Sequence, residues 1–115
     1  MATYLVGELI TITRQEGDTA DIVFTVPDSL SMTPFTEVKF QLNKGLTGST
    51  MRWIKKLSTA EMTVVGQVIT IPLNAVDTTD YSGNNNWELE VSNATPTIIT
   101  IGKGTFVITK EIIKT

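Results

Sequence analysis

Thr19-Ala20-Asp21-Ile22-Val23-Phe24-Thr25-Val26 is the stretch that decides how this 115-residue chain is read. Ala20, Ile22, Phe24 and Val26 fall on one side of an extended chain, and Asp21 and Thr25 on the other. Alternation at period two marks a strand with one buried face, because successive side chains of a pleated strand point in opposite directions. Gln15-Glu16-Gly17-Asp18 precedes it as a turn, with Gly17 free to take positive φ and Asp18 able to bond nearby backbone. Pro27-Asp28 closes it.

Working outward, the same signal recurs about every ten residues. Residues 8–13 form a strand with Ile10 and Ile12 facing one way. Residues 37–43 bury Val38, Phe40 and Leu42 and expose Lys39 and Gln41. Residues 28–35 read as an irregular crossing, with Leu30 and Phe35 packing over the end of the core. Residues 50–56 alternate ambiguously, since Met51 and Trp53 oppose Arg52 and Ile54, which suggests an edge strand. Residues 57–62 suit one helical turn. Residues 67–73 align Ile69, Ile71 and Leu73, and Pro72, which cannot donate to a ladder, implies an edge or a bulge. Residues 74–81 suit a short 3₁₀ or α turn that carries the chain to the opposite sheet, and residues 82–86 turn sharply. Residues 87–91 put Trp87, Leu89 and Val91 inward and Glu88 and Glu90 outward. Residues 98–101 and 105–109 finish the sheet on either side of a break at Gly102-Lys103-Gly104. Seven to eight short strands without a long helix give a single domain over 1–115: an all-β, immunoglobulin-like antiparallel β-sandwich. A closed barrel is the structural alternative. Parallel pairing is disfavoured, as no segment is long enough for a helical crossover.

Composition agrees with this reading. Thr, Ile and Val number 42 against five Ala. β-Branched side chains are stiff at χ1 and pack well on a pleated surface. The net charge of −3 lacks the basic face that a nucleic-acid binder needs. With no Cys and no His, disulfides, thiolate metal sites and histidine acid–base chemistry are excluded. The first eight residues lack a basic n-region, and no apolar run approaches the length of a membrane span. The expectation is therefore a whole small gene product made in the cytoplasm, without signal peptide or membrane partner.

The chemistry-bearing residues divide readily into sites and structure. Gly102-Lys103-Gly104 is the nearest thing to a phosphate loop, but no helix follows it, so a bulge is expected. Asp77, Asp80 and Asn84–Asn86 bring oxygen ligands together as calcium sites do, yet these residue types also cap turns, and no cofactor or metal is assigned. Glu88 and Glu90 lie on one outward strand face, a solvated stripe and not a glycosidase pair flanking a cleft. Arg52, Trp53, Lys55 and Lys56 form a small basic–aromatic cluster. It serves either as a core cap with lysine stems around it or as an interface anchor. Arg52, Trp53 and Lys55, with Leu46 from the 45–49 loop, are the candidate partner contacts. The Asn93-Ala94-Thr95 sequon precedes Pro96 and is not expected to carry glycan.

Four segments together resemble a known family. They are Gly17-Asp-Thr-Ala-Asp-Ile-Val-Phe-Thr-Val26, Val38-Lys-Phe-Gln-Leu42, Val68-Ile-Thr-Ile-Pro-Leu73 leading to Tyr81-Ser-Gly83, and Trp87-Glu-Leu-Glu-Val91 followed by Gly104-Thr-Phe-Val-Ile-Thr109. In order and spacing this is similar to the immunoglobulin-like N-terminal domain of siphophage upper baseplate proteins and related small phage and prophage tail proteins. The likeness runs over residues 8–110. It implies a virion structural protein, not an enzyme, docked in several copies against other virion proteins on a tail, baseplate or head. A carbohydrate-binding module, with a surface glycan as partner, is the alternative.

Overall fold

The computed structural model describes residues 9–45, 50–79, 81–94 and 97–110, and the backbone of Thr3–Leu5. Leu46 with the rest of the 46–49 loop, Asp80, Thr95 of the sequon and the 111–115 tail lie outside the described residues.

Nine strands are described: β1 (Thr3–Leu5), β2 (Leu9–Gln15), β3 (Ile22–Thr25), β4 (Glu37–Lys44), β5 (Met51–Lys56), β6 (Thr63–Val65), β7 (Val68–Ile71), β8 (Gly83–Ser92) and β9 (Ile98–Thr109). They form a four-stranded sheet, β1-β3-β7-β6, and a five-stranded sheet, β2-β9-β8-β4-β5. Without the N-terminal strands and β5, the orders 3-7-6 and 9-8-4 are the B-E-D and G-F-C arrangement of immunoglobulin-like sandwiches. The fold is an all-β, immunoglobulin-like sandwich.

Two pairings depart from the antiparallel expectation: β1 runs parallel to β3, and β2 parallel to β9. Neither needs a helical crossover. Between β1 and β3 the chain passes through β2 in the other sheet, and between β2 and β9 lies most of the domain.

The core is the inward face of each alternating strand. Ile12, Ile22, Phe24, Phe40, Leu42, Ile69, Ile71, Leu89, Phe106 and Trp87 are fully or almost fully buried, and Leu30 and Phe35 pack against them from the crossing loop. Gln67 holds that loop in place, its side-chain amide donating to the carbonyls of Val26, Pro27 and Leu30 at 2.8–3.2 Å. Phe24, Phe40 and Trp87 pack as an aromatic triad with ring centroids 5.1–5.9 Å apart, the spacing of favourable offset and tilted ring pairs.

Several local expectations are corrected. The 57–62 segment is a hydrogen-bonded turn with Ala60 at φ 60°, not a helical turn. Strand β6 was not anticipated, although Gly66 at φ 58° makes the two-residue hairpin to β7 that its sequence signals. That hairpin makes β7 an inner strand, and Pro72 falls just past its end, so it marks neither an edge nor a bulge. Residues 84–86 belong to β8 and not to a turn.

Gly102 and Gly104 do not interrupt β9. The bulge is there, as a register shift opposite Leu89 and Glu90 that leaves Ile101 without a partner on β8, but the strand continues through it. The glycines serve close approach instead. A Cβ on Gly102 would meet the Trp87 ring at 3.1 Å, and one on Gly104 would collide with the Ile10 backbone carbonyl. The cleared space lets the Trp87 indole N–H reach across β9 to the Ile10 carbonyl at 3.1 Å. Gly104→Ala is expected to destabilise the domain by about 2–3 kcal/mol, because the obstacle is backbone and cannot rotate away. Lys103→Ala, on the exposed side, should stay within about 0.5 kcal/mol. Urea denaturation of the two variants checks both.

Candidate functional site

Strand β5 carries the candidate contact residues, and its pairing with β4 explains their ambiguous alternation. Leu42 faces Trp53 but Asn43 faces Met51, so Arg52 is the extra residue of a bulge. Two-against-one pairing reverses the alternation beyond it. Lys55, Trp53 and Arg52 all reach groups on the inner side of the sheet, while Met51 stays half exposed. The edge position read from the sequence is correct.

What these side chains reach is the 74–81 segment, which crosses from β7 to β8 around a 3₁₀ turn at Ala75–Asp77. The Trp53 ring lies 5.7 Å from Phe40, and its indole N–H donates to the Asp77 carbonyl at 2.8 Å. Lys55 is only 6% exposed, which rules out a snorkelling stem. Its ammonium meets the Asp77 carboxylate at 2.7 Å, donates to the Pro72 carbonyl at 2.9 Å and lies 5.6 Å from the Trp53 ring centroid. A lysine has three donors and no acceptor, and here an anion, a carbonyl and a π-face surround it. The same carboxylate accepts the Asn74 amide at 2.7 Å, closing the turn from its own side.

Arg52 continues the cluster toward the open end of the sandwich. Its Nε donates to Asn85 Oδ1 at 2.5 Å, and its guanidinium stacks 4.7 Å from the Tyr81 ring centroid. Asn85 is fully buried, and its amide nitrogen donates to the Tyr81 carbonyl at 3.0 Å and the Phe106 carbonyl at 3.4 Å. A buried amide needs such partners, since an unsatisfied one costs about 1–3 kcal/mol. Thr78, also fully buried, accepts the Gly17 amide at 2.8 Å. The turn between β2 and β3 is thereby bound to the 3₁₀ segment.

The structure therefore brings Arg52, Trp53 and Lys55 together and turns their polar groups inward. Thr78 and Asn85 were missed as members of this cluster. Their signal was the Asp77-Thr78-Thr79 and Asn84-Asn85-Asn86 runs, polar residues next to strand positions, where a buried amide or hydroxyl serves as a brace. Three of the residues considered for calcium have protein partners for their oxygen atoms: Asp77 has Lys55, Asn85 has Arg52, and Asn86 accepts from Asn43 at 3.0 Å. Among the described residues no group of three or more acidic side chains is placed to hold a metal ion. Glu88 and Glu90 stand on the outer face of β8, in register with Lys103 of β9 and Lys39 of β4, a pattern of favourable cross-strand charge.

Glu37, at the start of β4, fastens the turn after β5. Its carboxylate accepts the Ser58 amide at 2.9 Å, the Val38 amide at 3.1 Å and, at very short range, the Ser58 hydroxyl. Desolvation pushes the carboxyl up. The Ser58 and Val38 hydrogen bonds, with the charge of Lys39, outweigh it and leave the group below the ordinary glutamate value.

No family model and no curated protein matches the chain. Among solved structures, extracellular domains 3–5 of Drosophila OTK are a neighbour at 14% identity and a TM-score of 0.38, with 91% of this chain and 34% of that chain covered. The chain thus spans about a third of that neighbour's length.

Two outcomes are expected. Removing one member of the Lys55–Asp77 pair, as in Lys55→Met or Asp77→Ala, leaves the other buried and unpaired and should cost about 3 kcal/mol. The double variant should cost less than the sum, and a double-mutant cycle by chemical denaturation measures the coupling. The depressed Glu37 carboxyl contributes stability above its unfolded-state value and loses it as pH falls through the folded-state value. Wild type should therefore lose stability more steeply than Glu37→Gln in denaturation series run from about pH 6 down to about pH 3.

Proposed function

We propose that this chain is a non-enzymatic docking module of a bacteriophage or prophage particle, present in several copies on a tail, baseplate or head. The observation that carries the docking reading is the destination of its chemically capable side chains. Lys55, Asp77, Arg52, Asn85 and Glu37 all direct their charge or hydrogen bonds to groups of the same chain. Side chains so engaged hold a scaffold and offer no converging set of groups to a substrate. The work then falls to strand edges, sheet faces and loop ends, where repetition in a symmetric assembly makes weak contacts sufficient.

The phage assignment is supported by the four segments that resemble the siphophage baseplate domain. Two of them meet in the fold: the Gly17 turn donates to Thr78, in the segment leading to Tyr81-Ser-Gly83. The glycan reading finds less support, because it needs an aromatic platform open to a sugar. Trp87 is 1% exposed, and Trp53 packs on Phe40 with Lys55 against it.

Mass spectrometry of particles purified from the source that carries this gene tests the proposal. The expected result is this chain at several copies per particle, co-purifying through a density gradient. Its absence from intact particles would reject the virion role.

A further inference from the structure

The segment from Leu57 to Met62 leaves β5 in the five-stranded sheet and enters β6 in the four-stranded one. Apolar side chains anchor both of its ends: Leu57 packs against the core, and Met62 is 2% exposed. Between them the backbone turns tightly. The Ala60 amide donates to the Leu57 carbonyl at 3.0 Å, and the Glu61 amide to the Lys56 carbonyl at 3.1 Å. Ala60 stands there at φ 60°, the one non-glycine residue in the left-handed region among the described residues. A Cβ is unfavourable in that conformation, and turns that need it ordinarily place Gly or Asn there. The turn is strained and has to be held by its surroundings.

Two carboxylates hold it. Glu37, from the neighbouring strand β4, accepts the amide and the hydroxyl of Ser58 as well as the Val38 amide. Glu61, within the turn, accepts the Lys56 amide at 3.3 Å and the Thr59 hydroxyl. An ionised carboxylate only accepts, and its hydrogen bonds are roughly twice as strong as those between neutral groups. Protonation therefore weakens every bond that Glu37 receives from the turn. The ionisable groups around Glu37 are Lys39 two residues along β4, Lys56 and Glu90, which flank Lys39 on β5 and β8, and Glu61. Ser92, directly opposite Glu37, is neutral.

We propose that the Leu57–Met62 turn is an acid-released latch: protonation of Glu37 frees the strained turn and uncovers Met62 while the core stays folded. Desolvation pushes the Glu37 carboxyl up, but the Ser58 and Val38 hydrogen bonds, with Lys39, bring it below the ordinary glutamate value. The hold is thus complete near neutral pH and is lost as pH falls through that lowered value. Loss of charge assistance at three hydrogen bonds, added to the strain at Ala60, should raise the open population about 10-fold or more. The crossing loop that buries Met32 is held differently, by the uncharged Gln67 amide, so acid leaves it closed. The inference does not rest on the virion reading, since the isolated chain is enough to show it.

Hydrogen peroxide converts an accessible methionine to its sulfoxide, and the chain supplies its own controls. Met51 is half exposed, whereas Met32 is buried in the crossing loop. Wild-type protein is treated with peroxide from about pH 7 down to about pH 3.5, and peptide mass spectrometry follows each methionine. The Met62 rate, taken relative to Met51, should rise at least ~10-fold over that range, and the Met32 rate by less than about 2-fold. Glu37→Gln should show the raised Met62 rate already at neutral pH, with little further change on acidification. Ala60→Gly, which relieves the strain, should lower the Met62 rate throughout. A Met62 rate that stays flat to the lowest pH, one that rises together with Met32, or a wild-type-like rise in Glu37→Gln overturns the proposal. If Glu37→Gln fails to fold, the wild-type and Ala60→Gly profiles decide.

Discussion

The indole of Trp87 is the point on which both sheets and strand β2 converge. Its ring packs on Phe24 from one sheet and Phe40 from the other, and its N–H crosses beneath β9 to the Ile10 carbonyl of β2. The reach is possible only because β9 has hydrogen atoms where side chains would stand, at Gly102 and Gly104. A large ring buried at about 1% exposure contributes apolar area that no other single residue here matches, and its one polar atom is satisfied. Strand β2, an edge strand held parallel to β9, is thereby anchored to the core by a side chain as well as by its ladder.

A second constraint works at the opposite flank. Extracellular immunoglobulin domains join their sheets with a disulfide beside a buried Trp. This chain has no cysteine. The Lys55–Asp77 pair, under Trp53, ties edge strand β5 to the segment that leaves β7 for β8. A buried ion pair seldom contributes much net stability, because desolvation offsets its attraction, yet it penalises any arrangement that separates the two charges. It therefore acts on uniqueness more than on depth of stability. Arg52 with Asn85, and Thr78 with the Gly17 amide, extend the same bracing to the end of the sandwich.

Much of this was legible beforehand. Phe24, Phe40, Leu42, Trp87, Leu89 and Val91 were each placed inward by simple alternation, and each is buried. The crossing loop under Leu30 and Phe35 and the sheet-changing 3₁₀ turn were also readable. What failed did so for identifiable reasons. The three asparagines of 84–86 carry weak strand propensity, but partners from Arg52, Asn43 and the Tyr81 and Gly45 carbonyls hold Asn85 and Asn86 in β8. Gly102 and Gly104 read as a break because a missing side chain usually means a turn. Here it means close approach, of the Trp87 ring at Gly102 and of the Ile10 backbone at Gly104.

Alternation, β-branched composition and turn residues depend only on neighbours in the chain, so the sequence by itself determined the fold class, the core positions of the regular strands and the edge position of β5. Pairing partners lie far apart in sequence, and only the tertiary structure decided them: the parallel contacts of β1 and β2, and the inward turn of Lys55 across the Arg52 bulge. Each follows from which strand comes to lie beside which, a choice made by the packing of the whole core around Trp87 and invisible to any local pattern.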